Sequence, residues 1–478
     1  MKQRDLRFLF LMAATTFQNR PFPARAVAPH VPLVRIEETS PLQSLGFNFL
    51  LVFIFLAFSR IFDIKFSSLH ITGITYRVVF AMAVLSGAFK LALDNKIGRA
   101  MLGFTVCFAL SVPFSIWKGG SLPVFRDNWL MFSFVAFLAT GGLTATFEQT
   151  KKAVNAMAWA LLVFVIIANV FGTTETGRLF LPQGKFANPN EMAQALLIGL
   201  PLWFGKMMEA ESPPKKLFAA GVMGLMLLTV FRTGSRGALI GFAVMAAFVF
   251  FRASVMGKAQ IVIAMILVLG MITATQSGKL ISRYKTIASD DVEDEESDPG
   301  MQSSAVTSTE SRKQLLKSSI KLTIRHPLFG VGPGMFPVAE NAEAQAQGRR
   351  KGQWLGTHNS YTQVSSELGI PAFCFFVAVV VYSIKLPYQL YKRTRDDLRT
   401  QDIGWMALGL HYAQIVFAVT ILFEHIAYMV MLPVFAGLVV GLMRTAEAEI
   451  EKRLARPAAV TITAPLFRTY SKPQPVRT

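Results

Sequence analysis

The chain has 478 residues, 53% of them hydrophobic and only 16% charged, with a formal net charge of +19. A soluble domain carries about 25% charged residues, so water is not the main solvent of this one. The basic surplus would fit a nucleic acid, but it is sorted by side along the chain and not gathered on one face, which excludes that partner.

Residues 1–45 begin MKQRDLRFLFLMAATTF, a basic start and short apolar run that imitate a signal peptide. No good cleavage site follows, so a retained cytoplasmic or interfacial segment is expected. Apolar runs then recur, each long enough to cross a hydrocarbon core of about 30 Å as a helix that satisfies its own backbone. Twelve spans are predicted, at about 46–62, 76–92, 99–116, 126–142, 153–171, 190–204, 217–231, 236–251, 259–275, 369–385, 404–423 and 426–442. Nine therefore fill 46–275 and three fill 369–442, with a long connection at 276–368 and a basic tail at 443–478. With the amino terminus inside, the short inner loops hold Lys96, Arg99, Lys151, Lys152, Lys206, Lys215, Lys216, Arg252, Lys258, Lys392, Arg393, Arg395 and Arg399. The outer loops hold fewer basic residues, such as Lys118, Arg126 and Arg178. This is the positive-inside pattern over an even number of spans, and the surplus contacts anionic headgroups of the membrane lipids. Cys107 and Cys374 both fall in spans and read as small apolar packers.

The connection at 276–368 is too long to be passive, and the topology places it outside. Its acidic tract, SDDVEDEESDP at 289–299, is followed by an amphipathic helix from Glu310 to Arg325. Leu316, Ile320 and Ile324 make the expected buried line, extended by Arg312, with Lys313, Lys317, Lys321 and Arg325 beside it. The stretch HPLFGVGPGMF then reads as a glycine- and proline-punctuated turn, not a phosphate loop. In THNSYTQVSSELGIP, Asn359 or Ser360 can cap the helix that leads into the tenth span.

Four places could carry chemistry. In FRTGSRG, between the seventh and eighth spans, Arg232 and Arg236 flank a glycine turn. A guanidinium beside exposed helix-start N–H groups binds phosphate well; the alternative is a headgroup anchor. Arg312 is either a second anion ligand or a solvated helix charge. His358 could take a proton from an attacking hydroxyl, or be a histidine bonded at a helix start. In FANPNEMA, Asn190 could cap the sixth span or contact substrate. Glu424 and His425, with His411, could form a proton relay. Nucleotide-binding loops and paired His/Cys metal spacings are missing.

Taken in order, FANPNEMA, FRTGSRGA, ESRKQLLKSSIKLTIRHPLFGVGPGMF and THNSYTQVSSELGIPAF resemble the O-antigen ligase and polymerase family of bacterial surface-polysaccharide enzymes. The resemblance covers about residues 186–375. It implies an all-α integral membrane protein of about 12 spans, similar to the GT-C-like O-antigen ligase architecture, with one large, partly helical loop in the periplasm. It implies an inverting glycosyltransferase of the inner membrane that uses neither metal nor cofactor. The donor would be a glycan on a polyprenyl-pyrophosphate carrier, and the acceptor a lipid or another glycan. Carried onto this chain, the resemblance makes Arg236, Arg312 and His358 catalytic, and Arg236, Arg312, Arg232, Asn359 and Asn190 are expected to bind substrate. Leu315 and Leu316 stand where relatives often have an aromatic residue after the loop arginine. The rival reading is a transporter or flippase for an anionic lipid-linked saccharide, which would require a site at the bilayer midplane.

Overall fold

The computed structural model describes residues 40–61, 71–175, 177–181, 188–275, 299–348 and 352–455. The signal-like start, the acidic tract up to Asp298, Phe186 and Ala187 of FANPNEMA, and the tail beyond Ala455 lie outside them.

The first half of the chain gives α1 (Pro41–Ser59), α2 (Ile71–Leu85), a short α3 (Phe89–Leu93), α4 (Lys96–Ser111) and α5 (Lys118–Pro123). α5 continues through a π-helical stretch (Val124–Phe134) into α6 (Val135–Leu143), and α7 (Phe147–Phe171) follows. An antiparallel hairpin of β1 (Thr173–Glu175) and β2 (Arg178–Phe180) comes next, with Thr173 opposite Phe180. Then come α8 (Pro189–Glu209), α9 (Pro213–Arg232), α10 (Arg236–Arg252) and α11 (Val255–Thr275). The long connection supplies α12 (Pro299–Arg325), α13 (Phe336–Ala346) and α14 (Ser360–Leu368), and α15 (Ile370–Thr394), α16 (Gln401–Thr420) and α17 (Met431–Ala455) close the chain.

Local chemistry sets many of these boundaries. Asn95, Thr146, Asn188, Ser235 and Asn359 each cap a following helix through a side-chain oxygen. Proline occupies the first turn of α1, α8, α9, α13 and α15, where its missing N–H costs nothing.

Among the described residues, seven helical runs are long and apolar enough to cross a membrane: α1, Lys118–Leu143, α7, α9, α15, α16 and α17. The protein is an all-α membrane protein, apart from the small hairpin. Each of the twelve predicted spans overlaps a helix, but five of those helices are not among the seven. α2, α4 and α10 have 15, 16 and 17 residues, short of the roughly 20 that a full crossing takes. α8 has 21 residues but carries Glu191, Lys206 and Glu209, and α11, also of 21 residues, is the fifth. The last span is displaced. It begins at Met431 and not at 426, because the backbone before it bonds to α14 instead of to itself.

α16 and α17 are buried along most of their length and form the centre of the bundle. α16 packs against α8 and α15, α17 against α6, and α4 against α15. Outside the bundle, α12 lies along α14. A second small core forms there from Leu315, Leu322, Val331, Met335, Phe336 and Ala339.

That core corrects the expected face of α12. Leu316, Ile320 and Ile324 are exposed, whereas Leu315, Ser319 and Leu322 are buried. The turn after α12 folds α13 back beneath it, and Thr323 Oγ1 meets Ser365 Oγ of α14 at 2.8 Å. Both contacts select the face one residue round from the most apolar line.

Candidate functional site

The turn between α9 and α10 is held from both sides. Arg232 donates to Asn169 Oδ1 at 2.6 Å, and the Asn169 amide donates to Thr229 Oγ1 at 2.7 Å. Gly234 takes the left-handed conformation at φ +63°, and Ser235 accepts the Ala238 N–H at 3.3 Å. Arg236, half-buried, is therefore the first residue of α10, at the positive end of that helix. Gly237 backs directly onto Phe423, to whose Cβ an added methyl group would come within 2.9 Å. Arg178 from β2 completes this arm. Its Nε donates to the Thr233 carbonyl and its terminal nitrogen to Asn190 Oδ1, each at 2.8 Å. Asn190 thus serves as an acceptor for Arg178, and the cap of α8 is Asn188, whose oxygen accepts the Asn190 N–H.

Arg312 forms the second arm. It is half-buried beside the Leu315 face of α12 and faces the Glu424 carboxylate electrostatically. Burial lowers its pKa from the usual arginine value, and Glu424 opposes that shift.

His358 forms the third arm, and its backbone is held at φ +50°. A left-handed residue that is not glycine costs about 1–2 kcal/mol, so the surroundings must impose it. Thr357 Oγ1 donates to the Asn359 carbonyl at 2.8 Å. Asn359 Oδ1 accepts the N–H groups of Tyr361 and Thr362 at 3.0 and 3.1 Å. The predicted cap at Asn359 is present, and its side-chain oxygen is spent on that role. Burial, then the positive charge of Arg312, hold His358 below the usual imidazole range. A histidine lowered in this way is a neutral base near pH 7.

These arms meet at residues 421–430 between α16 and α17, all but Glu424 and His425 of which hydropathy assigns to membrane spans. The Ile421 carbonyl accepts the Ser360 N–H at 2.8 Å, and the Glu424 carbonyl accepts the Ser360 hydroxyl at 2.8 Å. The N–H groups of Ile426 and Ala427 donate to Ser360 Oγ and Gln363 Oε1, each at 3.1 Å. Tyr428 donates to Glu367 Oε2 at 2.8 Å. Glu367 is buried and also accepts the N–H groups of Gly334 and Phe336, which pins the GVGPG turn against α14. Phe423 touches the first arm, Glu424 faces the second, and the His425 ring lies over the third.

Glu424 is buried, and its carboxyl is pushed up to about 8, first by burial and next by Glu191; Arg312 and Arg178 pull the other way. His411 does not join this group. Its Nδ1 meets the Ile384 carbonyl at 2.8 Å and its ring stacks on Tyr388, so His411 takes no part in the relay that it could have formed with Glu424 and His425. Arg178 and the 421–430 loop are what sequence reading underweighted. The one was an ordinary loop charge, and the other sat at the edge of two apolar runs.

Three arginines, the start of a helix and a neutral imidazole can together hold a polyanion and accept a proton beside it. Residues 221–377 match the family model Wzy_C, described as O-antigen ligase. The match runs from α9 into α15 and includes Arg236, Arg312 and His358, but not Arg178, Glu424 or His425. It covers less than half of the chain, and over that stretch the resemblance to the O-antigen ligase family holds. At that level the chain is a multi-pass membrane protein of a glycosyl-transferring kind. No curated protein matches it.

Proposed function

We propose, from that family relationship and this geometry, that the protein transfers a glycan from a polyprenyl-pyrophosphate carrier to an acceptor hydroxyl. The site would lie on the outer face of a bacterial inner membrane, with twelve spans, both tails inside and the 276–368 connection in the periplasm. The observation that carries the reading is that the 421–430 loop gathers the three arms: Phe423 backs onto Gly237 beside Arg236, Glu424 faces Arg312, and His425 accepts the Thr357 N–H next to His358.

In this scheme Arg236 and Arg312 bind the pyrophosphate, and Arg178 orders the wall between them. Arg232, Asn190 and Asn359 act through the groups they hold. The acceptor oxygen attacks the anomeric carbon as its proton passes to the His358 imidazole. The bond from that carbon to the pyrophosphate oxygen breaks, its electron pair leaves with the carrier, and the sugar configuration inverts. Charge grows on the leaving pyrophosphate, where fixed guanidinium groups stabilise it most.

The three groups lie at helix ends and in the connection between them, whereas a transporter needs them at the bilayer midplane. The test is transfer of a lipid-linked glycan in membranes containing His358→Ala. A loss of about 100-fold or more is expected, and undiminished transfer by a normally inserted variant would overturn the assignment. Deletion of the gene separates the acceptors: polymer left on the carrier indicates a ligase, and single repeats left on it indicate a polymerase.

A further inference from the structure

His425 lies outside the stretch that matches the family model and has no part in the transfer step above. Its surroundings are nevertheless specific. The Thr357 backbone N–H donates to His425 Nδ1 at 3.1 Å, and Thr357 Oγ1 lies 3.0 Å from the same nitrogen. The Gly356 backbone runs so close beneath the ring that an added methyl group would come within 2.6 Å of Cγ.

A backbone N–H can only donate, so Nδ1 must be the acceptor. A histidine with one accepting nitrogen is neutral and carries its proton on Nε2. The Thr357 hydroxyl has its own acceptor in the Asn359 carbonyl, so nothing here calls for a proton on Nδ1. The peptide so held is Gly356–Thr357, immediately before the turn at His358, whose left-handed backbone needs an external constraint.

We propose that His425 is the positioning residue for His358: as a neutral Nε2–H imidazole, it clamps the Gly356–Thr357 peptide, one residue before His358, through Nδ1 and fixes the base against the acceptor. This rests on the reading of His358 given above. A second property agrees with it. Burial, then the nearby His358, pushes His425 down to about 4, so the ring stays in the accepting form through neutral pH. Around the pair, His358 faces Arg312, and the neighbouring Glu424 faces Glu191, Arg312 and Arg178. Protonation of His425 would set Nδ1–H against N–H and open the clamp.

The clamp has a chemical fingerprint. Asparagine places its side-chain oxygen near the position of Nδ1, whereas glutamine reaches towards that of Nε2. Membranes containing the full chain with His425→Asn, His425→Gln or His425→Ala are assayed for transfer of a lipid-linked glycan. The expected result is transfer within about threefold of the parent for Asn, and a fall in kcat of about 10- to 100-fold for Gln and Ala, with little change in donor KM. Gly356→Ala reaches the same contact from the other side by displacing the ring, and should reproduce the kcat loss. Insertion and thermal midpoint in detergent are recorded for each variant. Asn as weak as Ala in a stable protein, or Ala and Gly356→Ala both fully active, would overturn the proposal. If His358→Ala is itself active, the underlying reading fails. If His358→Ala is dead while every His425 variant and Gly356→Ala are active, only the clamp fails.

Discussion

At the ends of α7, α8, α15, α16 and α17 away from the site, opposite charges meet directly. Arg453 reaches Asp402 at 2.6 Å and Glu449 at 2.8 Å, Lys151 reaches Glu209 at 3.3 Å, and Arg393 is bidentate to Glu447. On the site side, Arg232 at the end of α9 donates to the amide oxygen of Asn169. Arg312 faces a carboxyl that burial drives towards its neutral form. An arginine held by neutral acceptors is fixed in place but keeps its charge for a ligand, whereas one paired with a carboxylate is neutralised. The far ends therefore use charge for cohesion and orientation, as the Lys321 and Glu343 pair of the connection also does, whereas Arg232 and Arg312 hold it in readiness for an anion.

The largest effect that separates the two ends is on transfer. Arg312→Ala should lower transfer by about 100- to 1,000-fold, the scale of losing one charge-stabilising donor. Its thermal midpoint should hold or rise, because a half-buried cation is removed. A variant that kept full transfer but melted early would place Arg312 with the cohesive charges instead. The next effect is on stability within α12. Leu322→Ala should cost about 2–4 kcal/mol and leave a cavity, whereas Ile324→Ala should stay within about 0.5 kcal/mol, read as the shift in detergent or denaturant midpoint. Equal losses would restore the face that the apolar periodicity indicated.

That face shows where sequence reading stops. Helix positions, the turn at 330–334 and the cap at Asn359 follow from local chemistry, because a span, a glycine and an asparagine each act within a few residues. Arg236, Arg312 and His358 were visible as charged or titratable groups between apolar runs. The rotation of α12 was not, since it depends on contacts with α13 and α14 that periodicity cannot weigh against its own most apolar stripe. The 421–430 loop was hidden for a related reason. ILF and IAYMV are apolar enough to extend either neighbouring span. What unwinds them is the exchange of local helix bonds for bonds to Ser360 and Gln363, residues about 60 positions away. Arg178 looked like any loop charge until the hairpin aimed it at Thr233 and Asn190.

The comparison also predicts a difference in pH response. The Glu424 carboxyl is raised from 4.5 to about 8, so the folded protein holds that proton more tightly than the unfolded chain does. Its contribution to stability is full below about pH 4.5 and is lost as pH rises through 8. The thermal midpoint should therefore decline between pH 5 and 8, and Glu424→Gln should flatten part of that decline. Glu367, raised to about 7, contributes in the same direction, so the informative quantity is the difference between parent and variant. An unchanged slope would mean that Glu424 is ionised in the folded state, neutralising Arg312 after all.

The smallest effect belongs to the paired end. Arg453→Ala removes the bonds to Asp402 and Glu449 and leaves Asp402 with Lys151 at 3.9 Å. These groups are partly exposed, so salt and water screen them, and about 1 kcal/mol of stability is the expected loss. Raising the salt concentration should shrink the difference between parent and variant, and kcat for transfer should not move. A kcat change at constant stability would show that charge pairing at this end is coupled through α16 or α17 to the 421–430 loop. Those two helices are the continuous elements that run from the Asp402 and Arg453 end to the loop holding Glu424 and His425.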